Sequence, residues 1–212
     1  MTEFRDTSGK ALTDYPRPSV AVDTAVLTVP PGGPLSVVLT TVDGDHRLPG
    51  TFLHEGEVLA DAARRALAEK TGVRDIRPYQ LRVFDALGRD DRGWVLSVAH
   101  YAAVPWRDVD VVAERAIVVA LDEIGRLAFD HNAIVELAVA RLRREYRRRP
   151  DPFGLLDAPL TMRDLQRLHE AVAGERLMRD TFRRRMEPLL EPTGALTHGT
   201  MGKPAREFRT RG

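Results

Sequence analysis

The segment from Leu48 to Val73, "LPGTFLHEGEVLADAARRALAEKTGV", places Glu57, Arg65 and Glu69 at intervals of eight and four residues. Carboxylates spaced this way beside a glycine-marked loop could hold a divalent cation or move a proton. The physical minimum is smaller: Arg65 and Glu69 sit at i, i+4 on a helix, where an ion pair is expected without any function. Pro49, Gly50 and Gly56 break a helix, so residues 48–57 read as a loop whose backbone can come close to a ligand. Around it, Arg17 and Arg47 are candidates to reach phosphate or sugar. Phe52, Phe84, Trp94, Tyr101 and Phe129 are candidates for an apolar slot, with Phe52 favoured by its place in the loop. His54, His100 and His131 have no metal-ligand spacing.

The elements that must position these groups follow from periodicity. "SVAVDTAVLTV" (residues 19–29) and "LSVVLTTV" read as strands, separated by the turn "PPGGP" and followed by "DGD". From Val58 to Lys70, apolar Val58, Leu59, Ala62, Ala63, Ala66 and Leu67 keep a helical period that Gly72 stops. "YQLRVFDAL" and "GWVLSVAHYAAV" are further strands, and "AIVVALDEIG" begins with a short one. "NAIVELAVARLRREYRRR" is an amphipathic helix with Ile134, Val135, Leu137, Ala138, Val139 and Leu142 on its apolar stripe. The order predicts a mixed α/β domain over residues 1–149.

"PDPFG" (residues 150–154) marks a boundary, and residues 150–212 read differently. Thr161 caps a helix with Asp164 at its third position and Leu165, Leu168 and Val172 as its stripe; Gly174 ends it. A second helix, "RDTFRRRMEPL", turns Phe182, Met186 and Leu189 to one side. A strand, a glycine-rich turn and another strand complete a winged helix-turn-helix pattern.

Composition narrows the classes. The chain has 212 residues, 43% apolar and 30% charged, enough for a core, and no cysteine. There is no apolar run of the roughly 18–20 residues that span a membrane and no secretory pattern at the start, so a soluble cytoplasmic protein is expected. Net charge is +1, but the portion from Arg141 onward carries 17 Lys plus Arg against 10 Asp plus Glu, a net of +7, and leaves −6 on the rest. Such asymmetry points to a polyanion. Arg179, Thr181, Arg183, Arg184 and Arg185 lie on the second helix, where such folds enter the major groove. Thr161 and Arg163 stand at a helix N-terminus suited to phosphate, and Lys203 and Arg206, with Arg209 and Arg211, fall on the wing.

The Leu48–Val73 segment resembles a Nudix box, the glycine–x5–Glu–x7–Arg-Glu-apolar–x–Glu-Glu–x–Gly-apolar signature of hydrolases acting on nucleoside diphosphates linked to another group. Thr51 stands at the opening glycine, Glu57 at the first glutamate, Arg65 at the arginine, Leu67 at the apolar position and Gly72-Val73 at the end. The remaining glutamates fall on Ala66, Glu69 and Lys70, so one survives. Magnesium needs a near-octahedral oxygen shell, and an ammonium at Lys70 repels it. The same ammonium suits a diphosphate held without metal.

The whole chain is similar to Nudix-related transcriptional regulators of the NrtR type. The resemblance rests on "YPRPSVAVDTAVLTV", the degraded box, "GRDDRGWVLSVAHY", "LAFDHNAIVELAVARLR" and the tail "LQRLHEAVAG…RDTFRRRM…LLEPTG…GKPAREFR". It implies a Nudix-like α/β/α sandwich followed by a winged helix. It also implies a homodimeric repressor of NAD-metabolism genes on double-stranded operator DNA, released by ADP-ribose or a related nucleotide, with no metal or required cofactor. The effector residues would be Arg17, Arg47, Phe52, Glu57, Arg65, Glu69 and Lys70. An ADP-ribose pyrophosphatase with a basic appendage is the main alternative, kept open by Glu57 and Glu69. An RNA-binding module is a second, disfavoured by the few aromatics beyond residue 150.

Overall fold

The computed structural model describes residues 4–109, 116–197 and 204–211. A mixed sheet is built from β1 (Ser19–Thr28), β2 (Ser36–Val42), β3 (Asp45–Arg47), β4 (Gly50–Phe52), β5 (Tyr79–Phe84), β6 (Val95–Ala103) and β7 (Ala116–Ala120). The strands run in the order β3-β2-β1-β6-β5, with β4 beside β1 and β7 beside β2. Only β1 and β6 are parallel, and β1 divides its length between β4 at Ala21–Asp23 and β2 at Val26–Thr28.

Nearly all of β1 is buried, with no inside–outside alternation, because both faces of the sheet are covered. Helix α1 (Leu59–Thr71) covers one face: Val22 packs with Ala62 and Ala63, and Val26 with Leu67. Helix α2 (His131–Tyr146) covers the other, where Ala25, Leu27, Val37, Leu39 and Tyr101 meet Ile134, Val135, Ala138 and Leu142. Gly72 ends α1 in the left-handed region at φ 72°, a conformation that costs a side-chain-bearing residue free energy.

The remaining residues form α3 (Met162–Ala173), α4 (Arg179–Met186) and a small sheet in which β10 (Arg206–Thr210) lies between β8 (Leu160–Thr161) and β9 (Leu190–Leu196). Leu160, Leu165, Phe182, Met186, Leu190 and Phe208 make its core. Leu168 and Val172 of α3 belong instead to the cluster beneath α2, so one apolar layer continues from the sheet domain into the winged helix.

Several expectations are corrected. The 48–57 loop contains a strand, β4, which β1 recruits through its backbone, and β3 and β8 are equally short pieces without a hydrophobic pattern of their own. Leu189 is 39% exposed and Leu190 is buried in its place. Helix α4 ends at Met186, and a 3-10 turn through Pro188 shifts the register of the chain that follows. Lys203 lies outside the described residues.

Thr161 and Asp164 form a reciprocal capping box. The Thr161 N–H donates to Asp164 Oδ2 at 3.2 Å and the Asp164 N–H donates back to Thr161 Oγ1 at 3.2 Å, while the Thr161 hydroxyl adds a 2.6 Å bond to Asp164 Oδ2. Thr161→Ala is therefore expected to cost about 1 kcal/mol in urea unfolding, with Thr161→Ser restoring most of it. A change within ~0.3 kcal/mol would mean the box contributes nothing here.

Candidate functional site

Where β1, β4 and the start of α2 meet, Ala21, Asp23, Arg47, Gly50, Phe52, Lys70, Arg89, Arg92, Phe129 and His131 border a cleft of about 220 Å³. Its floor is a buried polar cluster. Asp23 accepts from the Ser97 hydroxyl at 2.6 Å and lies 3.5 Å from His131 Nε2 and 3.6 Å from Arg89. Burial alone would raise the Asp23 pKa, but His131, Ser97 and Arg89 outweigh it and hold the carboxyl below its usual value. The Leu48 N–H donates to His131 Nδ1 at 2.9 Å, which places the ring proton on Nε2, toward Asp23. Gly50 admits this arrangement: a Cβ there would stand 2.0 Å from Asp23 Oδ1.

The rim is cationic. Arg47, Lys70, Arg89 and Arg92 face two lining carboxylates, Asp23 and Asp90. Lys70 donates to the Gly50 carbonyl. Although the residue as a whole is exposed, desolvation of its ammonium lowers its pKa. Arg92 forks onto Asp90 at 2.8 and 2.6 Å and lies over both Phe52 and Phe129, 5.2 and 5.5 Å from their ring centres. Arg47 Nε is buried with no hydrogen-bond acceptor among the described residues.

The residues expected from the box separate into two groups. Arg47, Phe52 and Lys70 line the cleft. Arg65 and Glu57 instead hold each other: both Glu57 oxygens accept from the Arg65 guanidinium at 2.9 Å, while Arg65 also donates to Thr51 Oγ1 and the Phe52 carbonyl. The expected Arg65–Glu69 pair gives way to this long-range one, and Glu57 is held down at about 2 by Arg65. Arg17 is exposed in the segment before β1, and Glu69 is exposed on α1; neither lines the cleft. Phe84 and Tyr101 are core. Phe129, a candidate for the apolar slot, does line the cleft. The sequence reading missed Asp23, Arg89 and Arg92; "GRDDRG" was the only local signal for the two arginines, and nothing in it announced which arginine turns inward.

A divalent cation does not fit these donors. Ala66 is buried where the motif has a carboxylate, Glu57 is neutralised by Arg65, and Lys70 brings positive charge to the cleft wall. Among the described residues no group of three acidic or histidine side chains could hold a metal. A larger hollow of about 960 Å³ lies between the 29–34 loop and α3. Two of its lining carboxylates are engaged within the winged helix, Asp164 in the capping box and Glu170 with Leu177 N and Gln166.

On the winged helix, Arg163, Arg167, Arg176, Arg179 and Arg183 surround a hollow of about 450 Å³ between α3 and α4. Arg167 and Arg176 were not anticipated. Arg183 is engaged by Glu187 at 2.7 and 3.2 Å, whereas Thr181, Arg184 and Arg185 are exposed along α4 and Arg206 on β10. Thr161 spends its hydroxyl on the cap.

Residues 152–210 match the NrtR DNA-binding winged helix domain. Over 82% of this chain and 74% of the other, the sequence is 30% identical to an ADPR-responsive transcriptional repressor, NtrR, of Acinetobacter baylyi. The chain belongs to the NrtR family. Shewanella oneidensis NrtR, solved with a 27mer DNA, superimposes with a TM-score of 0.78 at 30% identity, covering 91% of this chain and 93% of that one. The NUDIX domain of the same protein, solved with ADP ribose, matches at a TM-score of 0.56 and 27% identity, over 64% of this chain and 95% of that domain. The Nudix-like sandwich with its carboxy-terminal winged helix is thus the family architecture.

On duplex DNA, Arg184→Ala in this NrtR-type chain is expected to weaken binding and lower the log–log salt slope by roughly 0.9, the signature of one lost phosphate contact. An unchanged slope with altered sequence preference would make Arg184 a base reader instead.

Proposed function

We propose that this chain is a transcriptional repressor of NAD-metabolism genes, released from operator DNA by ADP-ribose or a related nucleotide bound in the Nudix-like cleft. Helix α2 carries the argument. It begins with His131 in the cleft wall and ends against the winged helix, where Arg143 Nε donates to the Val172 carbonyl at 2.9 Å. A ligand that displaces one end of a packed 16-residue helix necessarily acts on the other.

The cleft's chemistry supports a diphosphate diester. Four cations against two carboxylates leave two positive charges, matching one negative charge per phosphate. Phe52 and Phe129 supply apolar faces for a ring, and Asp23 supplies an acceptor for a sugar hydroxyl. At about 220 Å³ the cleft is smaller than the roughly 300–1,000 Å³ of sites that enclose a whole ligand. It would hold the diphosphate and an adjacent ring and leave the rest at the rim.

In this reading two copies bind as a homodimer, placing their α4 helices about 34–36 Å apart on a palindromic site. Arg17, Glu57, Arg65 and Glu69 then support the fold or the rim more than the ligand. Coupling is reciprocal, so DNA weakens ADP-ribose binding by the factor by which ADP-ribose weakens DNA binding. Fluorescence anisotropy on a duplex from the chain's own upstream region, with and without ADP-ribose at fixed near-physiological salt, reads this factor. A complex indifferent to ADP-ribose would require another effector, and an ADP-ribose affinity unchanged by DNA would overturn the switch.

With two of the motif's glutamate positions held by Ala66 and Lys70, Glu57 paired with Arg65 and Glu69 outside the cleft lining, the same cleft should leave ADP-ribose intact under excess Mg²⁺ or Mn²⁺. Turnover near the ordinary enzyme range of about 1–10³ per second would restore the hydrolase alternative.

A further inference from the structure

Arg89 differs from the other cations of the cleft. Its side chain is 3% exposed, and its fork closes on Asp130 with Nε 2.9 Å from Oδ2 and Nη2 2.6 Å from Oδ1. Asp130 does not line the cleft; it is the residue immediately before α2, the N-cap position. An aspartate there ordinarily accepts from the first N–H groups of its own helix, yet the Asp130 side chain makes no such bond. Both its oxygens are spent on Arg89. The start of α2 is therefore held from the β5–β6 loop by an ion pair rather than by its own cap.

The far end of α2 is held just as firmly. The Tyr146 hydroxyl donates to Asp151 at 2.8 Å, its ring meets His169 of α3 at 5.2 Å, and His169 meets Phe182 of α4 at 4.9 Å. His169 Nε2 lies 2.6 Å from the Pro150 carbonyl. Aromatic and hydrogen-bonded contacts thus run without a gap from the end of α2 to the helix that bears Arg184 and Arg185.

We propose that Arg89 is the diphosphate-binding residue of the cleft and that the Arg89–Asp130 pair is the catch the ligand opens. The proposal rests on the sensor reading above. A guanidinium fork donates two parallel hydrogen bonds to carboxylate or to phosphate oxygens alike. A buried cation must keep a partner; Asp23, 3.6 Å away, remains beside Arg89, and its fork exchanges Asp130 for the diphosphate. Asp130, 24% exposed, takes up water when released, which Arg89 cannot do. Freed from the loop, the start of α2 shifts to recover its own cap, and Tyr146, His169 and Phe182 carry the movement to α4.

The catch makes a prediction that a merely structural clasp does not. In Asp130→Asn the competitor for Arg89 is weakened, so ADP-ribose should bind several-fold more tightly. The factor by which ADP-ribose weakens DNA binding, of the order 5–150 for an ordinary switch, should fall toward one. Calorimetric titration of the full chain with ADP-ribose and anisotropy on the upstream duplex read the two quantities, and thermal unfolding checks the fold. Arg89→Lys, which keeps the charge and loses the fork, should lower ADP-ribose affinity at least tenfold and covers the case in which Asp130→Asn does not fold. If the unaltered chain binds no ADP-ribose, the sensor reading itself fails. If it binds and responds but Asp130→Asn retains full coupling, or loses ligand affinity together with coupling, the catch is overturned and the sensor reading stands. Unchanged ADP-ribose affinity in Arg89→Lys likewise removes Arg89 from the site.

Discussion

Everything in this molecule hangs on the burial of α2 from both sides. Ile134, Val135, Ala138 and Leu142 close one face of the sheet, while the same helix receives Leu168 and Val172 of α3. A helix that belongs to two cores cannot move in one without the other, because packed interiors deform in discrete steps. The cleft and the winged helix are linked by that constraint and by the tether at Pro150–Asp151, where His169 and Tyr146 anchor to the chain.

The cleft keeps the frame of the Nudix motif while two of its glutamate positions hold other residues, Ala66 and Lys70. The Nudix motif positions its groups by a loop, a helix and a tight glycine, and those persist here. Glu57 and Arg65 still lock the loop to α1, a task in which the ion pair and two further hydrogen bonds to Thr51 and Phe52 matter more than proton transfer. With Ala66 buried and the Lys70 ammonium on its wall, the cleft presents four cations against two carboxylates. A carboxylate cluster needs a metal to approach a diphosphate; a cationic rim does so directly.

Much was legible in the residues. Thr161 and Asp164, three apart ahead of an apolar stripe, announce a capping box, and the structure contains it. Val58 to Lys70 reads as a helix ended by Gly72, and α1 follows those bounds within a residue. The family resemblance, carried mostly by the tail, is matched by the winged helix domain over residues 152–210. The failures have two causes. Strands β3, β4 and β8 are two or three residues long, and they exist because a longer neighbour offers unpaired backbone. Leu189 lost its place to Leu190 because Pro188 lies where the helical period would have continued.

The boundary between the two kinds of knowledge is physical. Sequence alone determined the quantities that depend on residue type and short spacing: helix faces, caps, the presence of Ala66 and Lys70 where the Nudix motif has glutamates, and the basic carboxy-terminal portion. Only the tertiary structure decided which charges meet. Arg65 had Glu69 four residues away and chose Glu57; Arg89, four residues after Asp85 and next to Asp90, reached across 41 positions to Asp130. Partner choice for a long cationic side chain is governed by burial and by the geometry of its fork, and both arise only when β1, the β5–β6 loop and the start of α2 have come together.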